Sequence, residues 1–194
     1  MKYILFICTG NTCRSAMAEG FFNTAAQQDS QLFESYKAFS AGIMAMDGES
    51  ASSNAISALK EGWNIDISSH KAKALKYEYI KKSCLILTMT KAHKDAAIHL
   101  FPGMDSKIYT LKEYAANFAN QGLQKMAYSS YGQLEFFDNN KLLEKYNLNY
   151  NYDLNYDVPD PYGQSLDFYK YCAQDIKKSI DMIIEYLKLK NSNS

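Results

Sequence analysis

Tyr3-Ile4-Leu5-Phe6-Ile7 runs directly into Cys8-Thr9-Gly10-Asn11-Thr12-Cys13-Arg14-Ser15. The first five residues are β-branched, aromatic or aliphatic with no polar break, the pattern of a buried strand. Ala16 to Phe22, which follow, have a composition that favours a helix. A strand, a short polar loop and a helix N-terminus make an anion site. The loop and first-turn amides have no intrahelical partner, and the helix dipole adds partial positive charge. Gly10 lets the backbone approach an oxyanion closely. In this field Cys8 is expected to favour thiolate over thiol and to act as a nucleophile near neutral pH. Arg14 closes the loop with a planar fork suited to two oxygens of a phosphoryl group. Five intervening residues are enough to wrap one tetrahedral anion and bring both ends together.

Working outward, Tyr36 to Ala41 predicts a second strand ended by Gly42, and Ala51 to Trp63 has Ala55, Ile56, Leu59 and Trp63 at helix spacing. Ser83 to Met89 predicts a third, fully buried strand. Thr90 can cap a helix reaching about Leu100, before Pro102-Gly103 breaks the chain. Lys107 to Leu111 predicts a fourth strand. Ser165 can cap a last helix whose apolar face is Tyr169, Cys172, Ile176, Ile180, Ile183, Ile184 and Leu187, and residues 190–194 read as a frayed polar tail. Strands alternating with helices predict an α/β fold: a doubly wound, four-stranded parallel sheet flanked by helices. Such sheets bind ligands at the carboxyl ends of strands where strand order reverses, and the Cys8 loop begins at such an end.

The 194 residues suit a single domain spanning 1–194. Basic and acidic side chains number 21 each, so no electrostatic footprint argues for nucleic acid or an anionic membrane as partner. No apolar run spans a bilayer and no signal peptide opens the chain. Four cysteines without framework spacing suit a reducing, cytoplasmic setting. The three histidines show no ligand spacing with Cys or carboxylates, so neither a metal nor another cofactor is expected. Cys84 and Cys172 lie in apolar patterns and are expected in the core; His93 and His99 are expected at the surface of a helix.

Cys8 to Ser15, with Ala18-Glu19-Gly20 behind it, closely resembles the low-molecular-weight protein tyrosine phosphatase family. It looks most like the bacterial branch that includes protein arginine phosphatases and relatives of arsenate reductase. The likeness recurs at Ser40-Ala41-Gly42, Leu87-Thr88-Met89-Thr90, Thr110-Leu111-Lys112-Glu113 and Asp160-Pro161-Tyr162-Gly163. It covers most of the chain except about Ala115 to Tyr156. That stretch carries Tyr128, Tyr131, Tyr146, Tyr150, Tyr152 and Tyr156, with a possible short helix at Leu142 to Tyr146. Because family members pass more directly from the fourth strand to the Asp-Pro loop, residues 115–156 read as an insertion beside the site mouth. It is either a lid or protein-docking surface rich in aromatics, or a lineage-specific surface insertion, the second being preferred.

The resemblance implies a cysteine-dependent protein phosphatase whose partner is a phosphorylated protein. Cys8 would form a phosphocysteine. Arg14 and the loop from Thr9 through Gly10, Asn11, Thr12 and Cys13 to Ser15 would bind phosphate. Asp160, in Val158-Pro159-Asp160-Pro161-Tyr162-Gly163, would be the general acid; Asp157 and Asp167 rank far lower. Asn11, Ser15, Ser40 and His70 resemble the polar network that shapes the loop and orients a hydroxyl toward the thiolate, with His70 structural rather than a base. Thr12 and Tyr162 would form the substrate wall. Thr12 resembles the arginine-phosphatase branch, where tyrosine-specific relatives carry a bulkier aliphatic residue, so phosphoarginine is favoured over phosphotyrosine. Cys13 is open between a small buried side chain and a redox partner of Cys8. Arsenate reductase chemistry needs relay cysteines after the third strand, and Leu87 to His93 has none. A non-catalytic phosphoprotein-binding module would be expected to have lost Cys8, Arg14 or Asp160.

Overall fold

Residues 4 to 8 are buried on both faces of strand β1 (Lys2–Cys8), so this strand has to lie at the centre of a covered sheet. The computed structural model describes residues 1–117 and 156–192. β1 pairs in parallel with β2 (Tyr36–Gly42) on one side and with β3 (Ser83–Thr88) on the other, and β3 pairs in parallel with β4 (Ile108–Thr110). The sheet order is β2-β1-β3-β4. From β1 the chain winds first toward one edge and later toward the other, so strand order reverses at β1. The anticipated four-stranded parallel sheet is present, with the Cys8 loop leaving it at the switch point.

Alternation along β1 divides two apolar layers. Ile4, Phe6 and Cys8 face helices α1 (Arg14–Gln27), α3 (Ser53–Trp63) and the last helix, α6 (Leu166–Ser192). Leu5 and Ile7 face α4 (Tyr77–Lys82) and α5 (Lys91–Leu100), whose Ile80 and Ala97 fill the other layer. A short helix, α2 (Ser30–Ser35), precedes β2 and is capped by Asp29, whose carboxylate accepts the Leu32 amide. Neither α2 nor α4 was anticipated, because six residues carry too little periodicity to read.

α1 lies between the sheet and α6, which explains why Ala16, Met17, Ala18, Phe21, Phe22 and Ala26 are all buried rather than on one stripe. Full burial of a side chain such as Phe22 contributes about 1.5–3 kcal/mol. Phe21 also packs edge-on against Trp63 of α3, with ring centroids 5.0 Å apart. Along α6 the seven anticipated apolar residues, Tyr169 to Leu187, are all buried. Ser165 accepts the Phe168 amide at its start, and the helix runs to Ser192. Residues 190–192, expected to fray, are therefore helical.

Helical residues 111–117 follow β4 through a capping box. Thr110 Oγ1 accepts the Glu113 amide at 3.1 Å and Glu113 accepts the Thr110 amide at 3.0 Å. Ala115, taken as the start of the insertion, is buried in the core with this helical turn. The rest of the insertion reading, including Leu142 to Tyr146, lies outside the described residues. Among the described residues no helix is long and apolar enough to cross a membrane.

Candidate active site

Arg14 and Ser15 are the first two residues of α1, and Cys13 at its N-cap offers no side-chain cap. The first-turn amides therefore stay available to the loop that starts at Cys8. That loop is built around Asn11, which is fully buried and left-handed at φ 58°. Asparagine tolerates this backbone better than most residues, and its side chain then holds the loop from inside. Asn11 Nδ2 donates to Ser15 Oγ at 2.9 Å and to Ser40 Oγ at 2.7 Å, and Oδ1 accepts the Lys73 amide at 2.9 Å. The Asn11 carbonyl lies 2.8 Å from His70 Nε2. A carbonyl only accepts, so His70 donates from Nε2 and acts as a strut.

The same logic orients the hydroxyls. Both serines accept from an amide NH2, so each is left to donate its own proton. Ser40 donates to Glu19 Oε2 at 2.6 Å, and Ser15 Oγ lies 2.9 Å from Cys8 Sγ, to which it donates when the sulfur is a thiolate. The Asn11 amide adds a second donor to Sγ at 3.3 Å. The network diverges from the Asn11 amide, one arm running through Ser40 to Glu19 and the other through Ser15 to Cys8; the sequence reading placed Asn11, Ser15 and Ser40 in it but not Glu19.

Gly42, opposite Cys8 in the β1–β2 register, meets the loop at close quarters. A Cβ there would fall on the Thr9 carbonyl and within 2.9 Å of the Asn11 amide nitrogen. The Cys8 and Thr9 carbonyls accept the amides of Ile43 and Met44. The Thr12 carbonyl accepts the amide of Ser52, the N-cap of α3. Thr12 is nearly buried, with its hydroxyl 3.6 Å from Cys13 Sγ. Cys13 lies under the loop, 3.4 Å from Ser52 Oγ and 3.3 Å from the Tyr169 hydroxyl, and both it and Cys8 are free thiols. Burial and the nearby Cys13 push Tyr169 up to about 12.

Burial pushes the Cys8 thiol up from its ordinary range. The Ser15 hydroxyl, the amides of Ser15 and Asn11 and the Arg14 guanidinium pull it down. Burial thus opposes the thiolate expected at a helix N-terminus, and the donors aimed at Sγ are what favour it.

Asp160 comes to the same place from far along the chain. Its Oδ2 accepts Arg14 Nη2 at 2.8 Å, while Arg14 Nη1 donates to the Val158 carbonyl at 3.2 Å. Arg14 is 4% exposed and its Nε is, among the described residues, the buried side-chain nitrogen without a partner. Asp160 Oδ1 accepts the Tyr162 amide, leaving the Tyr162 ring 75% exposed at the rim.

The profile described as low molecular weight phosphotyrosine protein phosphatase matches residues 3–135. The chain belongs to this family. It is accordingly a cysteine-dependent phosphatase. A protein-arginine-phosphatase from Geobacillus stearothermophilus is 29% identical over 185 residues, covering 95% of each chain. The solved YwlE arginine phosphatase from the same organism superposes with a TM-score of 0.72 at 27% identity, covering 100% of this chain and 97% of that one. A low molecular weight protein tyrosine phosphatase from T. tengcongensis gives 0.71 at 35% identity, covering 96% and 99%.

Two sequence readings of single residues are corrected, and a third residue gains a contact. His93, expected at the surface, is 9% exposed: Nε2 lies 2.8 Å from Thr9 Oγ1 and Nδ1 2.8 Å from Thr90 Oγ1. Burial and the Arg14 charge lower its pKa to about 4, so the ring is neutral near pH 7. Only the Thr90 cap one turn earlier hinted that this face of α5 meets the loop. Cys84, expected in the core, is exposed at the start of β3, where its Sγ donates to the Tyr3 carbonyl at 3.3 Å. Asp157 accepts the Lys91 amide at 2.6 Å, a contact between segments 66 residues apart that no local pattern announces.

Proposed function

We propose that the protein hydrolyses phosphorylated protein side chains through a phosphocysteine on Cys8, with phosphoarginine favoured over phosphotyrosine. The observation that carries the reaction is the buried fork of Arg14, held by Val158 and Asp160 at its two Nη atoms while its buried Nε has no hydrogen-bond partner among the described residues. A phosphoryl dianion supplies the oxygens this fork is built to take, together with the loop amides.

In the first step Cys8 sulfur bonds to phosphorus, the bond from phosphorus to the leaving nitrogen or oxygen breaks, and Asp160 passes its proton to that atom. Phosphoryl oxygens take the place of the Asp160 carboxyl on Arg14, which frees that carboxyl to serve as the general acid. In the second step water attacks phosphorus, the sulfur leaves as thiolate stabilised by Ser15 and Asn11, and Asp160 takes the proton from water. Asn11, Ser15, Ser40 and His70 hold the loop throughout.

The preference for phosphoarginine is supported by Thr12, a small polar loop residue that resembles the arginine-phosphatase branch, and by likeness to a protein-arginine-phosphatase along 95% of the chain. Phosphotyrosine is the second reading, favoured by the exposed Tyr162 ring, which can stack on a phenol as well as on a guanidinium. The free thiols fit a reducing, cytoplasmic setting. The segment read as an insertion joins the acid loop directly and is the candidate docking surface for the protein part of a substrate.

The test is phosphate release from a phosphoarginine protein and a phosphotyrosine peptide at matched concentrations, using wild type, Thr12→Ile and a Cys8→Ser blank. Preference for phosphoarginine that reverses in Thr12→Ile supports the reading. Preference for phosphotyrosine from the outset refutes the role given to Thr12, and release from neither refutes the activity.

A further inference from the structure

Asp157 is the acid-loop carboxylate that the proposed reaction leaves without a part. Its Oδ1 accepts the amide of Lys91 at 2.6 Å. Lys91 opens α5, and its N–H is one of the helix-start donors that no intrahelical carbonyl can reach. Thr90 accepts a different one, that of His93, so the two acceptors divide the turn between them. A carboxylate at this position also meets the positive end of the helix dipole.

The contacts continue in both directions from that turn. The Val158 amide donates to the Met89 carbonyl at 2.8 Å, and the Val158 carbonyl accepts Arg14 Nη1. Pro159 and Pro161 then restrict the backbone on either side of Asp160. On the opposite side, the Met89 amide donates to the Ile7 carbonyl at 2.9 Å, and His93 reaches Thr9. A single stretch, residues 89–93, is therefore bonded to the strand and loop that carry Cys8 and also to the loop that carries Asp160.

We propose that Asp157 is a positioning residue which, by fastening the acid loop to the first turn of α5, sets the reach of Asp160 toward the atom leaving phosphorus. The inference rests on reading Cys8 as nucleophile and Asp160 as acid. The sulfur–phosphorus bond forms whether or not Asp160 is in register, but the proton reaches the leaving atom only if it is. Displacing Asp160 therefore penalises leaving groups that need protonation and spares those that depart as stable anions.

The experiment measures kcat/KM for nitrophenyl phosphate and phenyl phosphate, with leaving groups of low and high basicity. Asp157→Ala removes the acceptor, and Asp157→Asn keeps a carbonyl oxygen for the same amide. Lys91→Pro removes the donor from the other partner, at a first helical position where proline is tolerated, and leaves the acid loop intact. Lys91→Ala controls for the lysine side chain. Asp157→Ala and Lys91→Pro are expected to slow phenyl phosphate by about tenfold to a hundredfold while changing nitrophenyl phosphate by less than about threefold, the scale of a misplacement near 1 Å. Asp157→Asn and Lys91→Ala are expected to behave like wild type on both. Equal losses on the two esters, or none, in Asp157→Ala and Lys91→Pro would overturn the inference; should Asp157→Ala not fold, Lys91→Pro decides alone. Asp160→Ala is measured alongside. If it shows no leaving-group selectivity, the acid assignment itself fails, whatever the Asp157 variants do.

Discussion

Replacing Ser15 by alanine removes the hydroxyl that lies 2.9 Å from Cys8 Sγ. Because Asn11 Nδ2 already donates into Ser15 Oγ, the hydroxyl proton has Sγ as its acceptor, and the bond gains strength when the sulfur is ionised. A hydrogen bond to a charged group contributes about 1.5–3 kcal/mol. At about 1.4 kcal/mol for each pH unit, its loss raises the Cys8 pKa by roughly 1–2 units. The sign follows from which form is stabilised: the thiolate loses a donor, so a higher pH is needed to form it. The Asn11 amide and Arg14 remain, which keeps the change well short of the full effect of burial. The assay is the pH dependence of Cys8 alkylation by iodoacetamide, read against Cys8→Ser to remove the other thiols, together with the acid limb of kcat/KM. Both midpoints are expected to move up by that amount in Ser15→Ala. A midpoint that stays fixed or falls would show that Ser15 points its proton elsewhere and that the arm running from Asn11 through Ser15 to Cys8 is misread.

The buried His93 has its pKa lowered from 6.5 to about 4, so its contribution to stability is complete above pH 6.5 and is lost as pH falls toward 4. In an NMR titration its ring resonances are expected to stay constant from pH 8 to 5, and a midpoint near 6.5 would refute its placement against Thr9. Gly42→Ala forces a methyl onto the Thr9 carbonyl, for an expected loss of about 1–3 kcal/mol in urea unfolding together with most of the activity; unchanged stability and rate would refute the close approach. Tyr169→Phe removes the hydroxyl shared by Cys13 and Ser52, and an expected loss of about 1 kcal/mol in thermal unfolding checks whether that contact holds α6 to the loop.

Local chemistry was legible where one short segment contains both the cause and its consequence. Tyr3 to Ile7 had to be a doubly covered strand, and Cys8 to Ser15 contains its own candidate nucleophile, its cation and the Asn11 that accepts a left-handed backbone. Thr90, Ser165 and the apolar face of α6 were readable for the same reason, since a cap or a stripe depends on neighbours within one or two turns. Asp160 was named through resemblance, because nothing within ten residues of it says that Arg14 lies 2.8 Å away.

Tertiary structure decided whatever depends on which segments meet. His93 and Cys84 have ordinary local surroundings and were misplaced in opposite directions. One lies on the face of α5 that packs on the Thr9 side chain, and the other is exposed at the start of β3. Desolvation of Cys8 belongs to the same class: the helix N-terminus that favours a thiolate is visible in the sequence, whereas the burial that opposes it is a property of the assembled layers. The loop, its donors and the sulfur they surround were legible in the sequence alone, since these follow from residue type and spacing. What faces that sulfur, which charges are paired and which helix turn meets the Asp157–Asp160 segment depend on distances between residues far apart in the chain, and the assembled fold sets them.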